Sequence, residues 1–156
     1  MTFMHRPAAA LLAALAFLVF GVALARAEDR PRDARPHRLV LQVNSNDAAT
    51  MTLALNNASN VDQYYRQRGE PVQIEVATFG PGLHMLRDDT SPVKDRLRAL
   101  AEKSPAIAFS ACGNTRENMA KAEQKPIPIV GQATVVPSGV VRLIELQEQG
   151  WTYVRP

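Results

Sequence analysis

Over residues 38–44 (RLVLQVN) the apolar positions crowd into a short run, and from Met51 onward they recur at helical spacing. Met51, Ala54, Leu55, Ala58, Val61 and Tyr65 share one stripe, Asp47 stands before it as a candidate N-cap, and Gly69, Glu70 and Pro71 end it. The pattern predicts a strand followed by a helix. Residues 72–79 (VQIEVATF) alternate Val72, Ile74 and Val76 with Gln73 and Glu75, which predicts a strand with one face less buried than the other. Gly80, Pro81 and Gly82 then break the chain, and residues 83–91 read as irregular.

A second helix is predicted over 92–103, with Val93, Leu97 and Leu100 inward. The run 106–111 (AIAFSA) carries no charge, as expected of a strand in the middle of a covered parallel sheet. A third helix is predicted over 115–123, with Asn114 and Glu117 in capping-box positions. A brief strand over 132–136 leads to Ser138, the N-cap of a helix through residue 148 that sets Val140, Leu143, Ile144 and Gln147 along one side. Gly150 closes it, and 151–155 (WTYVR) alternate as a last strand. Five strands separated by four helices imply an α/β domain of three layers, α/β/α, around a mainly parallel five-stranded sheet.

The first 27 residues follow a different logic. A basic head with Arg6, the apolar run AAALLAALAFLVFGVALA and the small-residue site Ala25-Arg26-Ala27 make a secretory signal peptide. The apolar run is also long enough to span a bilayer at roughly 1.5 Å per residue, which would make it an uncleaved anchor. The well-formed cleavage site and the polar, proline-rich EDRPRDARP after it favour cleavage. The expected product begins at Glu28, is periplasmic, has no membrane segment after cleavage, and consists of a flexible leader over 28–36 and one domain over 37–156. A chain of roughly 130 residues can bury a core that stands without staples. Its single cysteine excludes a disulfide framework.

Cleavage removes Arg6 and Arg26 from the 18 basic residues, leaving them close to balance with the 15 acidic ones. The basic pI of the whole chain is therefore no argument for nucleic acid. No G-x-G-x-x-G or phosphate-loop lysine pattern occurs, and His37 and His84 with one cysteine are too few for a metal site, so no cofactor or metal is expected. Ser110 and Ser138 have no recognisable triad partners.

Cys112 is the residue that stands out. It lies in FSACGNT, between a strand end and a helix start, where sites collect in open parallel sheets. A helix N-terminus there favours thiolate over thiol. The competing reading is a small buried hydrophobe, the usual fate of free cysteine. Gly113 would allow close backbone approach, and Asn114 and Thr115 belong to the same turn. His84, in the loop after the second strand, is a candidate base if that loop reaches the same end of the sheet.

The strings FSACGNT, PSGVVRLIELQEQGWTYVRP, LALNNASNV and GPGLHML followed by DTSPV together resemble exported single-domain members of the DsrE/DsrF-like family, which has the YchN-like fold. The resemblance covers about 39–156. It implies an α/β/α domain, assembly into homotrimers or homohexamers, and, as in the sulfur-relay members, a cysteine that carries sulfane sulfur as a persulfide; Cys112 occupies the matching place. The relay members are cytoplasmic and heteromeric, whereas this chain has an export signal, so their donors and acceptors do not carry over. The first helix, with Met51 and Tyr64 flanking its stripe and Asn56, Asn57 and Asn60 beside it, is the expected subunit contact.

Overall fold

In the computed structural model, which describes residues 35–156, strands β1 (His37–Val43), β2 (Val72–Thr78), β3 (Ile107–Cys112), β4 (Ala133–Val136) and β5 (Thr152–Val154) alternate with helices α1 (Ala48–Arg68), α2 (Lys94–Lys103), α3 (Gly113–Glu123) and α4 (Gly139–Glu148). The predicted signal peptide over 1–27 and most of the leader over 28–36 lie outside the described residues. Among the described residues no helix is long and apolar enough to cross a membrane.

The strands form one sheet in the order β4-β3-β2-β1-β5, and every neighbouring pair is parallel. Parallel neighbours need crossovers, and right-handed crossovers dictate where the helices go. From β1 to β4 the chain steps in one direction, so α1, α2 and α3 fall on one face. The last crossover runs back past β1, so α4, alone among the described helices, falls on the other. The two cores reflect this: Leu41, Val43, Ile74, Val76 and Phe109 pack with Met51 and Leu55 of α1 and Leu97 of α2, while Val40 and Ala77 pack with Leu143 and Leu146 of α4. The domain is thus the expected three-layer α/β/α arrangement on a parallel five-stranded sheet.

Asp47 caps α1 as predicted, its carboxylate accepting from Thr50 N at 2.8 Å. Four expectations are corrected. Residues 80–86, expected to be a break and loop, form a 3-10 helix (Gly80–Leu86) in which Leu83, Met85 and Leu86 are buried. Its Gly82 approaches the end of β1 so closely that a Cβ would lie 2.2 Å from the Val43 carbonyl oxygen, a packing constraint that periodicity does not express. Met51 is fully buried in the core rather than edging an interface, although Tyr64 is exposed. On the polar face of β2 Gln73 is exposed as expected, but Glu75 is buried, because α4 covers that part of the strand and supplies its partner.

The fourth correction concerns α4 itself. Gly139, Arg142, Leu143 and Leu146 form its inward stripe, leaving Val140 and Ile144 about half exposed. The cause is steric and electrostatic together. A Cβ at residue 139 would meet the Phe79 side chain at 2.9 Å, so only glycine lets the first turn seat there, and Arg142 is then brought onto Glu75.

A buried arginine ties the 3-10 helix to α3. Arg87 is 1% exposed; its guanidinium pairs with Asp89, at 2.9 and 2.8 Å, and with Glu123 at the end of α3. Lys125 reaches both carboxylates at 3.3 Å. Arg87 first, then burial in opposition and Lys125 in support, set the Glu123 carboxyl at about 2, and the same partners hold Asp89 below the ordinary carboxylate range. Depressed carboxyls stabilise the fold above their unfolded values, roughly pH 4, and that contribution disappears as pH falls toward their folded values. Denaturant titrations at pH 6 and pH 3 should therefore show the wild type losing more stability between the two than Arg87→Met does; equal losses would remove the cluster from the acid response.

Candidate functional site

Strand β3 runs into α3 with no linker between them. Cys112 ends the strand with extended φ −66°, ψ 117°, and Gly113 begins the helix. The first amides of a helix have no intrahelical acceptor, and the residue just before it is the one placed to serve them. Here that residue is the cysteine: Sγ accepts from Thr115 N at 3.5 Å. Asn114 and Glu117 were expected to supply a capping box, but the helix starts two residues earlier than predicted and Asn114 lies inside it. Asn114 N donates instead to the Pro137 carbonyl at 3.1 Å.

The second wall of the thiol site comes from the start of α4. The Cys112 side chain points to the sheet face that α4 covers, since Cys112 is in register with Val136 and two residues beyond Ser110 on that face. Ser138 caps α4 by accepting from Val141 N at 3.4 Å, and the Gly139 N–H faces Cys112 Sγ. The thiol thus sits between two helix N-termini. Close approach is built in at Gly113, where a Cβ would lie 3.1 Å from the Val136 carbonyl oxygen and 3.4 Å from that of Pro137.

These groups compete over the charge state of Cys112, which is only 4% exposed. Burial pushes its thiol up; the Thr115 hydroxyl and the backbone N–H groups of Gly139, Thr115 and Asn114 pull it down. The hydrogen bonds outweigh the burial, so the thiol lies below its ordinary value. A buried, inert cysteine would be raised instead.

The position of α4 over the thiol is set by a charge pair that sequence reading passed over. Arg142, one turn beyond Gly139, donates to the Glu75 carboxylate through Nε at 2.8 Å and Nη2 at 2.7 Å, and Ser110 Oγ donates to the same carboxylate at 2.5 Å. Glu75 is 4% exposed. The available signal was a single charge in an otherwise uncharged strand and one positive charge on the helix that, among the described residues, returns across the sheet.

His84 lies on the 3-10 helix and shares a 2.8 Å hydrogen bond with Thr90 Oγ1 through Nδ1. It makes no hydrogen bond with Cys112. It lines an open cleft of about 450 Å³ at the carboxyl end of the sheet, and Thr115 stands in another wall of that cleft. Thr115 Oγ1 accepts from Gly80 N at 2.9 Å, joining the 3-10 helix to the thiol's own hydrogen-bond partner. Cys112, Gly113, Asn114 and Thr115 therefore form one cluster, and His84 belongs to the neighbouring cleft. Among the described residues no three His, Cys, Asp or Glu side chains gather as a metal site.

No family model and no curated protein sequence matches the chain. Among solved structures it is similar to that of MTH1491, a protein of unknown function from Methanobacterium thermoautotrophicum, with a TM-score of 0.65 and 28% identity. The match covers 77% of this chain and 99% of that one. The two share an α/β architecture.

Arg142→Met leaves Glu75 buried without its partner, a type of change that costs several kcal/mol in a dry interior. Because Arg142 is itself partly exposed, a loss of about 3 kcal/mol is expected in urea titrations. Adding Glu75→Gln should recover part of that loss, since the orphaned charge is gone. A double variant as unstable as the sum of its singles would show that the two side chains do not act as a pair.

Proposed function

We propose that the protein is an exported DsrE-like sulfur carrier, in which Cys112 accepts, holds and passes on sulfane sulfur as a persulfide. The observation that carries this reading is the thiol between two helix N-termini, with hydrogen bonds that offset its burial. A thiolate in that place attacks a sulfur of a polysulfide or of another persulfide. A new S–S bond forms at Sγ, the S–S bond of the donor breaks, and its electron pair leaves with the donor fragment. No oxidant or reductant is consumed, because the sulfur moves with its oxidation state unchanged. The outer sulfur of the product is anionic, and backbone N–H groups at helix starts suit such an anion. With no second cysteine in the chain, nothing within the subunit can resolve the persulfide into a disulfide.

The proposal extends to a periplasmic location and to a homotrimer or homohexamer. The exposed Tyr64 and Leu53 of α1 and the exposed Val140, Val141 and Ile144 of α4 offer apolar surface for subunit contact. The sulfur donor and acceptor are external partners.

One observation favours a second reading, a non-catalytic oligomeric binding or scaffold protein: at 4% exposure Cys112 presents little surface to a reagent. The two readings give opposite results with polysulfide. The reduced native protein should gain about 32 Da, one sulfur, that a reductant removes, and Cys112→Ser should retain the fold and gain nothing. A native thiol that stays unmodified, and that alkylates only after denaturation, would establish the second reading.

A further inference from the structure

Helix α3 occupies the outer layer of the domain, yet none of its 11 residues is buried. One stripe of it, Thr115, Asn118, Met119 and Ala122, follows the i, i+3, i+4, i+7 spacing by which a helix normally packs inward. Met119 reaches the edge of the core, but the stripe as a whole lines the cleft, facing His84 on the 3-10 helix and Asn46 after β1. The cleft lies at the carboxyl ends of parallel strands, where open α/β sheets bind ligands, and its volume of about 450 Å³ suits a small organic molecule.

We propose that this cleft binds the acceptor of the sulfur, and that the acceptor is an uncharged, amide-bearing low-molecular-weight thiol. The assignment rests on the sulfur-carrier reading of Cys112. Its chemical class follows from the lining. Among the described residues no Lys, Arg, Asp or Glu lines the cleft, and its one ionisable side chain, His84, is engaged through Nδ1 with Thr90, so a formally charged ligand finds no fixed counter-charge there. Asn46 and Asn118 each present an amide, which both donates and accepts, and so complement the amide of a ligand. Met119 and Ala122 supply the apolar floor for its carbon atoms.

Thr115 connects this cleft to the thiol. It is the residue that both lines the cleft and hydrogen-bonds Cys112 through its backbone N–H, while Gly80 N fixes its Oγ1 from the opposite element. A persulfide lengthens the Cys112 side chain by one S–S bond, about 2 Å, beside this shared residue. The bound acceptor thiol gives its proton to solvent in the open cleft and, as the thiolate, attacks the outer sulfur; an S–S bond forms between them, and the bond to Sγ breaks. The electron pair returns to Sγ as the thiolate held by Thr115 and Gly139, and the acceptor departs as the persulfide.

The test separates binding from transfer. S-methyl-N-acetylcysteinamide, which cannot react, is titrated by NMR into the reduced protein and into Cys112→Ser. The neutral probe should give saturable shifts at His84, Thr115 and Asn118 in both proteins. Its anionic acid analogue and cationic S-methylcysteamine should bind at least about fivefold more weakly, because their charge finds no partner. Ala122 is exposed in the cleft, so Ala122→Trp should fill the site and abolish the shifts while the fold persists. In the second arm, persulfidated wild type mixed with N-acetylcysteinamide should lose its added sulfur to the thiol, and persulfidated Ala122→Trp should do so at least about tenfold more slowly, as a site that has lost its positioning contacts would. Absence of saturable shifts, or equal shifts from all three probes, overturns the cleft assignment even if Cys112 forms a persulfide. Selective binding of the neutral probe with no persulfide on Cys112 overturns the carrier reading and leaves a site for neutral amides.

Discussion

The absence of a linker between β3 and α3 is the constraint on which the site depends. A helix that starts directly from a strand must find acceptors for its first amides in whatever residue ends that strand. Here the residue is a cysteine, and its sulfur does the work usually given to a serine or aspartate oxygen. Sulfur is a weak acceptor as a thiol and a strong one as a thiolate. The demand of the helix and the charge state of Cys112 are thereby coupled: the fold is served better by the ionised form, and that form is the nucleophile.

The topology supplies the second half of the arrangement. Because the last crossover reverses direction, α4 is the one helix among the described residues that covers its face of the sheet, and it begins two residues after β4, beside Cys112. Gly139 lets its first turn settle against Phe79, and the Arg142–Glu75 pair holds that turn in register. Ser110 joins the same pair from β3, the strand that carries Cys112. A buried charge pair is a weak source of net stability, but it is directional. Its geometry fixes how the N-terminus of α4 meets the thiol in a way that apolar packing of Leu143 and Leu146 would not.

The fold class was legible because the apolar period switches cleanly between strand and helix, and Asp47 and Ser138 were found as caps by their position before apolar stripes. What sequence periodicity missed has one physical character: it depends on partners distant in the chain. Glu75 was read as facing less buried surroundings because its partner lies 67 residues away. The stripe of α4 was assigned one position off because Arg142 looks like a surface residue until Glu75 is beneath it. Arg87 drew no notice, although it is buried by two carboxylates, one of them 36 residues on. The place of Cys112 at the strand end was readable, whereas its role as the cap was obscured by Asn114 and Glu117, which have the better local pattern. The cleft that joins His84 to Thr115 could not be read at all, since it exists only once the 3-10 helix has folded beside α3.

The claim that hydrogen bonding outweighs burial at Cys112 can be measured without any assumption about sulfur chemistry. Thiolate absorbance near 240 nm, followed against pH in the native protein with Cys112→Ser as the blank, reports the titration of this one thiol. The account predicts a midpoint below the ordinary cysteine value of about 8.5 in the native state, rising to that value when the protein is unfolded in denaturant. A native midpoint at or above the unfolded one would mean that burial prevails and that the two helix starts do not hold a thiolate.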